Sequence, residues 1–156
     1  MHTLDHLYVQ PWPLSVEATQ FTPGIDLSIW KKLVVNCALN GLCAITDLTC
    51  EQLCAQADIW NFLDKISDET SALARARGVL LESTSAREFL RKVAHASAEH
   101  YPSMVFDIRN KRPTEIDSLN NAIVQGSQSL GLDASANQAV VALIKSMESN
   151  YHTPRH

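Results

Sequence analysis

The sequence predicts an all-α domain preceded by a short extended arm. Apolar residues recur at helical spacing in six segments, strand-like alternation is confined to residues 14–18, and glycine or proline punctuates the gaps. Six helical patterns with hardly a strand leave helix-on-helix packing as the architecture.

Residues 1–25 read as the arm, because Pro11, Pro13, Pro23 and Gly24 break any helix there. Within it Leu14, Val16 and Ala18 alternate with polar residues as a short strand does. A long first helix follows over 26–46, with Asp26 as its N-cap and Ile29, Leu33 and Val34 opening the apolar stripe. A second helix begins after Thr49 and runs through Leu53. The third covers about 60–77, where Ile59, Trp60, Phe62, Leu63, Ile66 and Leu73 are spaced for burial and Gly78 is placed to stop it.

Residues 83–88 carry capping chemistry for a fourth helix through Ala98, and Pro102 marks the next interruption. A short helical piece spans 103–110. Residues 111–117 read as a turn entering a helix that continues to Leu130. Pro113 suits its first turn, Glu115 and Asp117 complement the positive end of its dipole, and Gly131 ends it. The last helix covers about 137–148, and 151–156 form a polar tail, so the domain proper is 26–150.

Within the first helix, Lys32, Asn36 and Asn40 recur every four residues through an apolar run. Steps of four overshoot a full turn by about 40°, so the three side chains form one rail roughly 12 Å long. An amine and two amides among Trp30, Leu33, Val34, Val35, Leu39 and Leu42 need hydrogen-bond partners wherever they are dry. The rail is either a buried fixture or a ligand surface, and from periodicity alone such stripes are more often structural.

The totals exclude several classes. The 156 residues suit one domain, and 46% hydrophobic content can fill a substantial core. A net charge of −4 with scattered Lys and Arg argues against nucleic acid as a partner. No apolar stretch approaches a membrane span, and the N-terminus lacks the basic and apolar regions of a signal peptide, so a soluble cytoplasmic protein is expected. Cys37, Cys43, Cys50 and Cys54 fall close together without paired CxxC units, so they are expected to stay reduced and to hold no metal. His2, His6, His95 and His100 read as solvated surface. Trp30, Trp60 and Phe62 read as core or interface, and Trp12 as a residue covered by a partner.

The stretch from Trp30 to Asn40, followed by Ser-Met-Val-Phe-Asp-Ile from Ser103 and Arg-Pro-Thr-Glu-Ile-Asp from Arg112, resembles the C-terminal helical domain of ketopantoate reductases (2-dehydropantoate 2-reductases). Gly131 and Asn137 resemble the family's Gly-Ile-x-x-Pro-x-Asn segment, so the likeness covers nearly the whole chain from about Leu14. It implies the multi-helix fold of the ketopantoate reductase and 6-phosphogluconate dehydrogenase C-terminal type. It also implies a substrate-binding and catalytic domain for NADPH-dependent reduction of ketopantoate to pantoate, a step of pantothenate biosynthesis.

By position, Lys32 resembles the lysine that polarises the keto oxygen and gives it a proton, and Asn36 and Asn40 resemble the amides that hold substrate and lysine. Ser103 resembles a residue binding the substrate carboxylate, and Glu115 the acid that engages the lysine and a substrate hydroxyl. The chemistry asks for such groups: hydride addition builds negative charge on oxygen, which an ammonium stabilises and then protonates.

The family's cofactor, NADP, is held by an N-terminal Rossmann domain with a Gly-x-Gly-x-x-Gly turn, and the five glycines here stand far apart. The resemblance therefore implies a reductase cut close to its domain junction, inactive alone and needing a separate Rossmann-domain chain. Residues 14–18 resemble the last strand of the absent domain. The alternative is a non-catalytic helical binding or dimerisation module that keeps the family cleft, as a homodimer. Gly41 replaces the family's usual proline, Asn121 a common glycine and Ser135 another proline, and Gly41 is expected to loosen the helix beside Asn40.

Overall fold

The computed structural model describes residues 25–97 and 99–152. The strand expected at 14–18 and the setting of Trp12, His2 and His6 lie outside the described residues. The described residues form seven α-helices: α1 (Ile25–Thr46), α2 (Cys50–Cys54), α3 (Ile59–Ala76), α4 (Ser83–Ala96), α5 (Ser103–Arg109), α6 (Asn120–Gln128) and α7 (Ser135–Ser149), followed by a 3-10 turn at Asn150–His152. No strand occurs among them.

α1 is the axis of the domain, and α2, α3, α4, α5 and α7 all pack against it. Its apolar run supplies Val34, Cys37, Ala38 and Cys43, all fully buried. Around it close Leu63, Ile66 and Leu73 of α3, Leu90 of α4, Met104 and Val105 of α5, and Val140 and Ile144 of α7. Trp30, Trp60 and Phe62 are partly buried against this core, and Trp60 Nε1 donates to the Cys54 carbonyl at 2.9 Å.

Gly78 (φ +86°) and Gly131 (φ +67°) end α3 and α6 in the left-handed region that glycine adopts without strain. In each case the next residue turns back onto the helix: Val79 N–H bonds Ala74 C=O, and Leu132 N–H bonds Ser127 C=O. The two sequence stops are thus Schellman-type ends.

Four expectations need correction. α1 begins at Ile25, so Asp26 stands inside its first turn instead of capping it. α1 also runs unbroken through Gly41. A Cβ there would lie 2.4 Å from Val140 Cγ1, so this glycine lets α7 approach α1 closely instead of loosening the helix. Ser83 is the first residue of α4, and Glu82 caps it without a side-chain bond; the Ser83 hydroxyl accepts instead from Arg75 Nη1 at 3.2 Å.

The largest difference is at α6, which starts at Asn120 instead of soon after Pro113. Residues 113–114 are irregular and 115–119 are a bend and turns, with the Ser118 and Leu119 N–H groups both folding onto the Glu115 carbonyl. Ile116 is drawn fully into the core, and Asp117 pairs with Lys145 of α7, so tertiary contacts replace the helical ladder here. Glu115 and Asp117 therefore stand outside the first turn they were expected to complement.

Candidate functional site

Lys32, Asn36 and Asn40 lie on one strip of α1 and are each half-buried, whereas Leu33, Val34, Val35, Cys37, Ala38 and Leu39 between them are buried. Among the described residues, none offers these three side chains a hydrogen bond or an ion pair. The rail is therefore not a buried fixture. Its amine and amides are left for an outside partner or solvent to satisfy.

A buried network fixes how α1 presents that strip. Asn120, at the start of α6, donates through Nδ2 to the Cys37 carbonyl at 2.9 Å and to Asn137 Oδ1 at 3.0 Å. Asn137 in turn donates through Nδ2 to Glu69 Oε2 at 2.8 Å. Glu69, Asn120 and Asn137 are all buried, so α3, α6 and α7 are tied to α1 one residue beyond Asn36. Helical periodicity alone assigns Glu69 no role. The available signal was a carboxylate spaced between Ile66 and Leu73 on the apolar face of α3.

Ser103 is the exposed first residue of α5, a helix anchored on α1 through Met104 and Val105. Glu115 is exposed on the turn segment between α5 and α6. Its neighbour Thr114 is held by Glu148 of α7, whose Oε1 accepts both the Thr114 N–H and its Oγ1–H at 2.8 Å. The fold thus brings Lys32, Asn36 and Asn40 together on one strip and puts Ser103 on an adjoining helix. Glu115 stands on a separate tethered turn, and no hydrogen bond joins it or Ser103 to the strip.

The cysteine thiols take no part in this arrangement. Cys37, Cys43 and Cys50 are buried, burial pushes the half-buried Cys54 thiol up to about 11, and Cys43 is held up first by its thiol contact with Cys50. No group of three or more His, Cys, Asp or Glu side chains among the described residues is placed to hold a metal ion. His95 and His100 are exposed. No described helix is long and apolar enough to cross a membrane.

Residues 24–148 match the family described as ketopantoate reductase PanE/ApbA C terminal. The chain belongs to that family. It is 31% identical over 131 residues to a 2-dehydropantoate 2-reductase of Vibrio cholerae, a match covering 84% of this chain and 44% of the relative. A 2-dehydropantoate 2-reductase of Archaeoglobus fulgidus is 30% identical over 125 residues, covering 80% of this chain and 42% of its own length. The chain thus spans less than half the length of these relatives.

Among solved structures, a PanE/ApbA family ketopantoate reductase from Ralstonia eutropha superposes with a TM-score of 0.74 at 32% identity, over 80% of this chain and 42% of that one. D-mandelate dehydrogenase in ternary complex with NADH and anilino(oxo)acetate superposes with a TM-score of 0.79 at 27% identity, over 86% and 75%. The helical C-terminal domain of the ketopantoate reductase family is therefore the fold of this chain.

Among the described residues no glycine turn of the dinucleotide-binding kind is formed. Gly41 and Gly126 are packed inside helices, Gly78 and Gly131 are helix ends, and no described strand leads into a glycine turn. These residues do not form a dinucleotide site.

Proposed function

We propose that this domain is the substrate-binding half of a 2-dehydropantoate 2-reductase-type oxidoreductase acting on a small 2-keto acid of the ketopantoate kind. The single observation that carries this is the open rail: a lysine and two asparagines at four-residue spacing, half-buried between core residues and engaged by no described neighbour.

In this role Lys32 gives its ammonium to the keto oxygen, where negative charge accumulates as the carbonyl is reduced, and then supplies the proton. Asn36 and Asn40, one and two turns further along the strip, orient the substrate without adding charge. Ser103 receives the carboxylate end, and Glu115 accepts a hydrogen bond from a substrate hydroxyl and engages Lys32. A nicotinamide cofactor would supply the hydride from a nucleotide-binding half, and the residues described here would bind and position the substrate without completing a turnover by themselves.

NADPH oxidation in the presence of ketopantoate tests this, first with the chain alone and then with a nucleotide-binding half added. Turnover is expected only in the second case, and Lys32→Ala is expected to abolish it. Turnover by the chain alone overturns the division of labour, and a Lys32→Ala assembly as active as the parent overturns the site.

A further inference from the structure

We infer that Glu148 is a positioning residue: through Thr114 it fixes the turn that carries Glu115. The inference rests on the role proposed above for Glu115 and goes beyond it, since Glu148 lies on α7 and makes no contact with the rail.

Residues 113–119 have no helical ladder to set their position. Their placement is decided by anchors at the end of α7 and in the turn beyond it. Tyr151 Oη donates to the Arg112 carbonyl at 3.2 Å, Glu148 Oε1 accepts twice from Thr114 at 2.8 Å, and Lys145 pairs with Asp117. Ile116 is fully buried between the last two anchors.

Thr114 Oγ1 also accepts from the Ile116 N–H at 3.3 Å, so the hydroxyl held by Glu148 bridges across Glu115 within the turn. Glu115 is exposed, with Thr114 and Ile116 held on either side of it.

The Glu148 side chain is only 17% exposed, and Lys145 Nζ stands 3.5 Å from its other oxygen. A shielded carboxylate with a cation on one oxygen and two donors on the other is a stiff anchor. A turn held this way keeps Glu115 in place, and a group that must reach a substrate hydroxyl tolerates little displacement.

The test has two readouts. Amide exchange of the 156-residue chain is expected to quicken over 112–119 in Glu148→Ala and in the shape-preserving Thr114→Val. Glu148→Gln keeps an acceptor and is expected to stay protected. Unchanged protection in Glu148→Ala overturns the clamp.

In the assembly with a nucleotide-binding half, Glu148→Ala is expected to lower kcat/KM on the order of 10-fold to 100-fold. Glu148→Gln is expected to recover most of that loss, and Glu148→Ala added to Glu115→Ala to lower it no further. An equal fall in both backgrounds shows a merely structural residue and refutes positioning, leaving the role of Glu115 intact. If Glu115→Ala itself matches the parent, or the assembly turns nothing over, the proposed site fails and this inference with it.

Discussion

Glu69 caps α7 from the middle of α3, its Oε2 accepting both the backbone N–H of Asn137 at 2.9 Å and the Asn137 side-chain amide at 2.8 Å. Its other oxygen accepts the Ala136 N–H at 2.8 Å, so one buried carboxylate satisfies two of the free first-turn donors and faces the positive end of the helix dipole. Through Asn137 and Asn120 the same carboxylate reaches the Cys37 carbonyl beside the rail.

Glu69→Ala leaves those donors buried and unmatched, and is expected to lower stability by about 3 kcal/mol. Glu69→Gln keeps acceptor oxygen but loses the charge, at about 1–2 kcal/mol. Urea unfolding of both variants checks this. Alanine at 69 with the parent's midpoint would show that the network adds nothing net.

Gly41→Ala puts a methyl group 2.4 Å from Val140 Cγ1, and the β-branched valine has little rotamer freedom to move aside. Overpacking of about 1–3 kcal/mol outweighs the roughly 1 kcal/mol that alanine gains over glycine in a helix, so net destabilisation is expected. Adding Val140→Ala should make the glycine replacement favourable. The diagnostic is the sign of the Gly41→Ala effect in the two backgrounds; the same sign in both would sink the steric account.

The rail side chains make no hydrogen bond or ion pair among the described residues, so Lys32→Ala, Asn36→Ala and Asn40→Ala are each expected to shift stability within about 0.5 kcal/mol. Calorimetric affinity for ketopantoate or pantoate, measured on the assembly, is expected to collapse in the same proteins. Large losses in unfolding midpoint would mean that the strip is structural after all.

Cys54 gives an alkaline dependence. Burial first, and the neighbouring Cys50 second, raise its thiol from the ordinary 9.0 to about 11, so the folded state keeps a proton that the unfolded chain has already lost. The stability linked to this thiol is fully present below the unfolded value and is lost as pH climbs from there to the folded one. Burial raises the Cys37 thiol in the same direction, whereas the contact with Cys43 lowers Cys50 and opposes it. Urea midpoints taken from about pH 8 to about pH 10.5 should decline, and less steeply in Cys54→Ala. A flat profile in the parent would count against the thiol as the cause.

Most elements were legible because their causes are local. The period of the apolar residues marks α1, α3, α4 and α7, and Gly78 and Gly131 stop α3 and α6 through their own backbone freedom. The three-residue rail was legible for the same reason: helical spacing alone puts Lys32, Asn36 and Asn40 on one strip. Where a boundary depends on a distant partner, the pattern misleads. α7 starts at Ser135, two residues earlier than its apolar period suggests, where Asp133 accepts the Ser135 N–H at 3.0 Å and Glu69 meets the next two N–H groups. α6 starts late because Glu148 and Lys145 hold Thr114 and Asp117 in a turn.

The sequence by itself determined an all-α domain, the polar strip on its first long helix, and the motifs that resemble the ketopantoate reductase family. Tertiary structure alone decided that the strip meets no partner among the described residues, that Glu69 is an interior cap, that Gly41 is a packing contact, and that Glu115 rides on a clamped turn. Helical period and glycine backbone freedom act over a few residues and are written in the chain's order. Burial, long-range hydrogen bonds and steric approach depend on which segments meet, and Glu69 with Asn137, or Thr114 with Glu148, meet only once the helices have packed.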